Sequence, residues 1–244
     1  MGTAEVRIFA QRGDLPEFMV KSWSDIMGNA IEQKGFFSAA LSGGKTPRDF
    51  FLRLSLLEDR FYWDNTHIFL ADERCVPLDS PDSNYGLIRS SLLGRTPIPA
   101  ENIHPVAVDP DDPAASARKY EEELRYFFRL QPGDIPEFDF IHLGMGEDGH
   151  TASLFPGSNA VGETVRLCAP VLLDPGKHNR VTLTLPLINN AANVFMLVTG
   201  SAKAAVVKKV VEERDTSLPA SLVRPKGRLF YVLDEAAAAE LKGN

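Results

Sequence analysis

Short apolar runs recur along this chain, and most are followed by a turn and then a stretch of helical periodicity. The runs fall at residues 6–10, 36–41, 67–71, 138–143, 180–185, 193–200 and 228–233. Residues 15–33 carry Leu15, Phe18, Met19, Ile26 and Ile31 among polar neighbours, the pattern of an amphipathic helix. Further helices are expected at 47–54, after Ser83-Asn84-Tyr85-Gly86 as far as Leu93, and at 114–130, 201–214 and 235–241. Parallel strands must be joined by a crossover, and a helix is the usual one. The alternation therefore predicts an α/β fold, a mainly parallel sheet with helices on both faces. A chain of 244 residues suits one such domain over residues 1–244, or at most two small lobes sharing a sheet. The proline-rich, acidic stretch 97–113 reads as a surface connection, and the charges of 114–130 as a solvated helix face.

The chemistry concentrates where these runs end. Phe140-Ile141-His142-Leu143 breaks into Gly144-Met145-Gly146-Glu147-Asp148-Gly149-His150-Thr151-Ala152-Ser153-Leu154-Phe155-Pro156-Gly157. Gly144-x-Gly146-x-x-Gly149 has the form of a dinucleotide fingerprint. Glu147 and Asp148 would then stand where a pyrophosphate must bind, and Pro156-Gly157 cuts the following helix short. A tight turn with solvated acids and a surface histidine is the plain alternative. The third reading is a catalytic turn, with His150 as general base and Asp148 holding one ring nitrogen. An ordinary imidazole titrates near pH ~6.5 and accepts a proton at neutral pH.

Ser42-Gly43-Gly44-Lys45-Thr46-Pro47 joins an apolar run to a helix. Proline suits a first helical turn. The N–H groups of Gly43, Gly44, Lys45 and Thr46 would face outward at the helix start, a geometry that binds phosphate. It is not a nucleotide P-loop, because the first glycine of that motif falls at Ala39. A plain glycine turn with Thr46 as N-cap is the other reading. Asp72-Glu73-Arg74-Cys75 ends the run at 67–71; Arg74 is placed to hold an anion, or to pair with Asp72 or Glu73. Cys75 reads as a small buried residue. Lys203 falls in the first turn of a helix, against the helix dipole, and a bound anion would account for it. Arg180 heads the run at 180–185.

Bulk properties exclude several partners. The net charge is −7 and the pI about 5.3, which argues against nucleic acid or an anionic membrane. An anionic small molecule would need a local basic pocket. Cys75 and Cys168 are too few and too far apart for a disulfide framework and fit a reducing cytosol. The start, Met1-Gly2-Thr3-Ala4-Glu5-Val6-Arg7, lacks the apolar core of a signal peptide. No apolar run reaches membrane-spanning length. His67, His104, His142, His150 and His178 form no His-x-x-x-His pair, so no metal site is expected, and His142 reads as structural. No Gly-x-Ser-x-Gly elbow is present.

Five motifs in order carry a resemblance over almost the full chain. They are Ser42-Gly43-Gly44-Lys45-Thr46-Pro47; Asp72-Glu73-Arg74-Cys75-Val76 followed by Ser83-Asn84-Tyr85; the stretch from Gly144 to Gly157; Arg180-Val181-Thr182; and Gly200-x-x-Lys203. Together they resemble the 6-phosphogluconolactonase family, part of a larger group that includes glucosamine-6-phosphate deaminase. The resemblance implies a modified Rossmann-like fold, a cytoplasmic hydrolase of the oxidative pentose phosphate pathway, no cofactor, and 6-phospho-D-glucono-1,5-lactone as substrate. It implies His150 as general base, oriented by Asp148, and Arg74 in the active site. Gly43, Gly44, Lys45, Thr46, Arg180 and Lys203 would bind the phosphate, and Asp72, Gly146 and Gly149 the rest of the substrate. Either Arg74 or glycine amides near Gly146 and Gly149 would stabilise the oxyanion. The related deaminase motif has a glutamate five residues after the histidine, where this chain has Phe155. A deaminase and a non-catalytic sugar-phosphate sensor remain the alternatives, the sensor without the basic DNA-binding segment such proteins often carry. A monomer or small homo-oligomer is expected.

Overall fold

The structure is a computed structural model that describes residues 3–11 and 13–242. Of the opening residues read above for a leader, Met1 and Gly2 lie outside that range. Seven strands form one sheet in which every pairing is parallel. In chain order they are β1 (Ala4–Phe9), β2 (Phe37–Leu41), β3 (Thr66–Leu70), β5 (Ile103–His104), β6 (Phe140–Leu143), β9 (Asn193–Val198) and β10 (Arg228–Asp234). Their spatial order is β1-β10-β9-β6-β2-β3-β5. A separate antiparallel sheet joins β4 (Asp72–Arg74), β8 (Arg180–Leu183) and β7 (Cys168–Val171). The run at 180–185 is thus a strand as expected, but not one of the parallel sheet.

The helices are α1 (Asp14–Lys34), α2 (Arg48–Leu54), α3 (Arg60–Asp64), α4 (Asn84–Ser91), α5 (Pro113–Phe127), α6 (Leu185–Ile188), α7 (Ala204–Lys208) and α8 (Glu235–Ala238). In α1 the spacing buries Leu15, Met19, Trp23, Met27 and Ile31 on one side. Trp23 packs edge-on to Phe37 of β2 and Phe140 of β6. Gly35 ends the helix at φ 84°, where its amide donates to the Ile31 carbonyl.

Three expectations need correction. The connection 97–113 holds β5, which pairs with β3 because Ile103 and His104 can lie against Ile68 and Phe69. The charges of α5 are not all solvated: Glu121 accepts the Leu167 and Cys168 amides at the start of β7 and pairs with Arg125. The helix expected at 201–214 changes pitch twice, from a 3-10 turn (Ser201–Lys203) through α7 to a π segment (Lys209–Glu213), and closes at Arg214 with φ 53°.

His142 is structural as expected. It is fully buried between the Phe50 and Phe51 rings, with neither ring nitrogen hydrogen-bonded. Burial pushes its imidazole down to about 4. A folded-state value below the unfolded one means that acid favours the unfolded chain. This contribution is complete above pH ~6.5, shrinks as pH falls towards about 4, and is worth up to about 3 kcal/mol. Urea unfolding across that interval should show His142→Leu losing less stability on acidification than the parent chain; parallel slopes would disprove the assignment.

Candidate active site

Three adjacent parallel strands, β2, β6 and β9, deliver their C-terminal ends to one place, where open α/β sheets bind ligands. The turns that follow are Ser42 to Pro47, Gly144 to His150 and Thr199 to Lys203. With Asp72 and Arg74 from β4 and Asn84 from α4, they line a cleft of about 240 Å³.

His150 lines this cleft, and its Nδ1 lies 2.5 Å from Asp148 Oδ1. A carboxylate can only accept, so Nδ1 carries a proton, and in the neutral ring Nε2 keeps its lone pair. The same carboxylate oxygen accepts the His150 amide at 3.1 Å. Burial works to raise the Asp148 carboxyl, but these hydrogen bonds outweigh it and hold the group below its usual range. Gly146 makes the pair possible: a Cβ there would stand 2.1 Å from His150 Nδ1 and 2.5 Å from Asp148 Oδ1. The Phe155 ring lies 4.6 Å from the imidazole, centroid to centroid.

Another part of the lining is the turn after β2. The amides of Gly43, Gly44, Lys45 and Thr46 donate to no other atom among the described residues. Gly44 stands at φ 111°, a conformation few other residues tolerate. Gly43 is required by a close approach, since a Cβ would meet the Asn84 side chain at 2.1 Å. Thr46 is not the helix cap; Pro47 takes that position and its carbonyl accepts the Phe51 amide. Lys203 also lines the cleft, with Nζ 4.0 Å from Glu147. Its turn is pinned by Asp234, whose carboxylate accepts the Gly200 amide at 3.0 Å.

Arg74 does not pair with Asp72 or Glu73. Its Nη1 donates to the Asp82 carbonyl at 2.6 Å, and its buried Nε has no partner. The Glu73 carboxylate is instead spent on the amides of Arg74, Asn84 and Tyr85 and the Ser83 hydroxyl. Burial outweighs those bonds and raises its titration. Asp72 is held by the hydroxyls of Ser42 at 3.2 Å and Ser153 at 2.7 Å, tying β4 to the turn after β2 and to the segment that follows the Gly144–His150 turn. Cys75 and Cys168 are free and buried, and burial pushes the Cys75 thiol up to about 11, which leaves it without nucleophilic character.

Several expected ligands stand elsewhere. The Gly146 amide donates to the His150 carbonyl at 2.8 Å and the Gly149 amide to the Gly146 carbonyl at 3.1 Å, so neither is free for an oxyanion. Gly149 packs on Leu218 instead of lining the cleft. Arg180 pairs across from Arg74 in the small sheet, outside the cleft lining, and its guanidinium turns back to the carbonyl of His178. Lys45 is not part of the cleft lining; it borders a separate surface depression with Arg48 and Asp49. Asn84 and Thr199 line the cleft and were given no site role; Asn84 stood only within the Ser83-Asn84-Tyr85 motif and at a helix start. Among the described residues, no group of three or more His, Cys, Asp or Glu is placed to hold a metal ion. No helix among them is long and apolar enough to cross a membrane.

Comparison with known proteins agrees with this geometry. The family described as glucosamine-6-phosphate isomerases/6-phosphogluconolactonase matches residues 10–231. A 6-phosphogluconolactonase of Nostoc sp. is 42% identical over 217 residues, covering 88% of this chain and 89% of that protein. One from Synechocystis sp. is 40% identical over 87% of this chain and 88% of its own length. The solved 6-phosphogluconolactonase of Trypanosoma cruzi superposes with a TM-score of 0.87 at 31% identity, covering 99% of this chain and 98% of that one. A monomeric glucosamine-6-phosphate deaminase shares the fold, with a TM-score of 0.79 at 19% identity over 97% of this chain and 99% of its own. With a seven-stranded parallel sheet, a cleft at its strand ends and relatives of this closeness, the chain belongs to the glucosamine-6-phosphate isomerase/6-phosphogluconolactonase family.

Proposed function

We propose that this protein hydrolyses 6-phospho-D-glucono-1,5-lactone to 6-phospho-D-gluconate, with His150 as the general base. The observation that carries the reading is one cleft lined by an Asp148-oriented imidazole, a turn of unpaired amides and Lys203. The phosphate is remote from the reacting carbon, so its binding energy can position the ring. Gly43, Gly44 and Thr46 amides and the Lys203 ammonium would hold it. Water attacks the lactone carbonyl carbon and gives a proton to His150 Nε2. The carbonyl oxygen takes up negative charge, which the Arg74 guanidinium of the cleft lining would offset. When the tetrahedral intermediate collapses, the ring C–O bond breaks and the His150 proton goes to the departing ring oxygen.

The deaminase reading is disfavoured by Phe155, an aromatic ring on the imidazole where that chemistry has a carboxylate. Lactone hydrolysis, corrected for spontaneous opening, should be measured beside ammonia release from glucosamine 6-phosphate. Turnover of the lactone alone is expected; ammonia release, or binding with no turnover, would refute the proposal. The buried free thiols of Cys75 and Cys168 fit a cytoplasmic setting, and the net charge of −7 opposes nucleic-acid binding.

The phosphate assignment makes a comparative prediction. Losing a charged hydrogen bond costs about 1.5–3 kcal/mol, so Lys203→Ala should lower kcat/KM roughly 10–100-fold, mainly through KM. Arg180→Ala should do less, because that guanidinium stands outside the lining. Equal KM effects in steady-state assays would place Arg180 on the phosphate after all.

A further inference from the structure

A second cavity, of about 310 Å³, lies apart from the catalytic cleft, on the face of the main sheet over the first halves of β1 and β10. No residue lines both. Its floor is the register pairs Ala4–Leu229 and Val6–Tyr231, and Val210 and Val223 close its sides. Four groups in its wall offer hydrogen bonds: Arg214, Arg224, Ser221 and Tyr231. Ser221 is 4% exposed, and its buried hydroxyl has no partner. Tyr231 is 6% exposed, and its phenol makes no hydrogen bond among the described residues. Neither does the Arg214 guanidinium, and Arg224 makes only a 3.3 Å bond from Nε to the Ser221 carbonyl. A buried hydroxyl without a partner costs about 1–3 kcal/mol, and here that of Ser221 stands in one cavity with the Tyr231 phenol and two arginines that have hydrogen-bonding capacity to spare.

Both arginines act on the same point. Burial pushes the Tyr231 phenol up to about 12, while Arg224 and Arg214 pull against that rise. Arg214 reaches this position from a left-handed backbone at φ 53°, directly after the π segment that ends the helix. Both features cost energy and are found most often where a side chain must be aimed.

We propose that this cavity is a second binding site, for a small carboxylate with an aromatic or aliphatic body. The two guanidiniums match a carboxylate in forked geometry, and the Ser221 and Tyr231 hydroxyls supply further donors. The valine and leucine walls suit an apolar body better than a sugar, whose many hydroxyls would outnumber the few polar groups there. The occupant is therefore chemically distinct from the lactone of the cleft.

The probe is para-trifluoromethylbenzoate, followed by fluorine NMR, with the neutral para-trifluoromethylbenzamide as control. The carboxylate is expected to bind and the amide to bind about tenfold more weakly or less. In R214Q/R224Q the carboxylate affinity should fall by about tenfold or more, with lactone turnover unchanged as the check on the fold. Ser221→Ala should also weaken the probe while leaving Tm the same or higher, since it removes an unpaired buried hydroxyl. A structural serine would lower Tm and leave the probe untouched. No binding, equal affinity for the amide, or undiminished affinity in both variants would overturn the site without bearing on lactone hydrolysis.

Discussion

Replacing His150 by alanine is expected to lower lactone turnover by ~10²–10⁴-fold with little change in stability, the usual cost of removing a general base. The ring is partly exposed, with Phe155 the aromatic side chain beside it, so its loss opens no large core void. The loss should fall on kcat, because the phosphate contacts are made elsewhere in the cleft. Since the lactone also opens unaided, the assay must be read as rate above that background at several enzyme concentrations. His150→Ala with parental kcat would remove the imidazole from the mechanism. Asp148→Asn is a milder companion. It keeps the shape of the pair but lets the amide donate to Nδ1, favouring the wrong tautomer. Its turnover should lie between those of the parent and His150→Ala.

What could be read from the chain divides along a physical line. The parallel sheet was legible because each buried strand is an apolar run followed by a helix, and both signals are local. The partnership of His150 with Asp148 was legible for the same reason, two residues apart on one turn. β5 was not, because a two-residue strand carries no pattern of its own and exists only through its pairing with β3. Arg180 shows a different limit. Its residue type is right for phosphate, but whether it reaches the cleft depends on β8 joining β4 in a separate sheet, which no local pattern encodes. The expected Arg74 ion pair failed through competition: Glu73 satisfies three amides and a hydroxyl at the start of α4, and buried donors without partners are costly. Gly146 and Gly149 were expected to face the substrate. Gly146 does line the cleft, and its missing side chain also clears space for the side chains that follow it.

That clearance makes Gly146→Ala the sharpest test of how the turn works. The added methyl would stand 2.1 Å from His150 Nδ1, 2.2 Å from its Cε1 and 2.5 Å from Asp148 Oδ1. All three atoms belong to side chains that can rotate away, so the chain should fold with a stability loss of about 1–3 kcal/mol at most. The imidazole and the carboxylate cannot both stay, and their 2.5 Å contact must break. Turnover should then approach that of His150→Ala although every catalytic side chain is still present. Gly227→Ala provides the contrast: its Cβ would meet the backbone carbonyl oxygen of Ala192 at 1.9 Å, where nothing can rotate aside. It should lose stability more severely, while the fraction that folds keeps parental turnover per molecule. Proton NMR adds a direct readout, because a histidine Nδ1–H held this close to a carboxylate resonates far downfield, and Gly146→Ala should abolish that signal. If the signal vanished and turnover stayed at the parental value, Asp148 would have no part in orienting the base, and the glycine would serve packing alone.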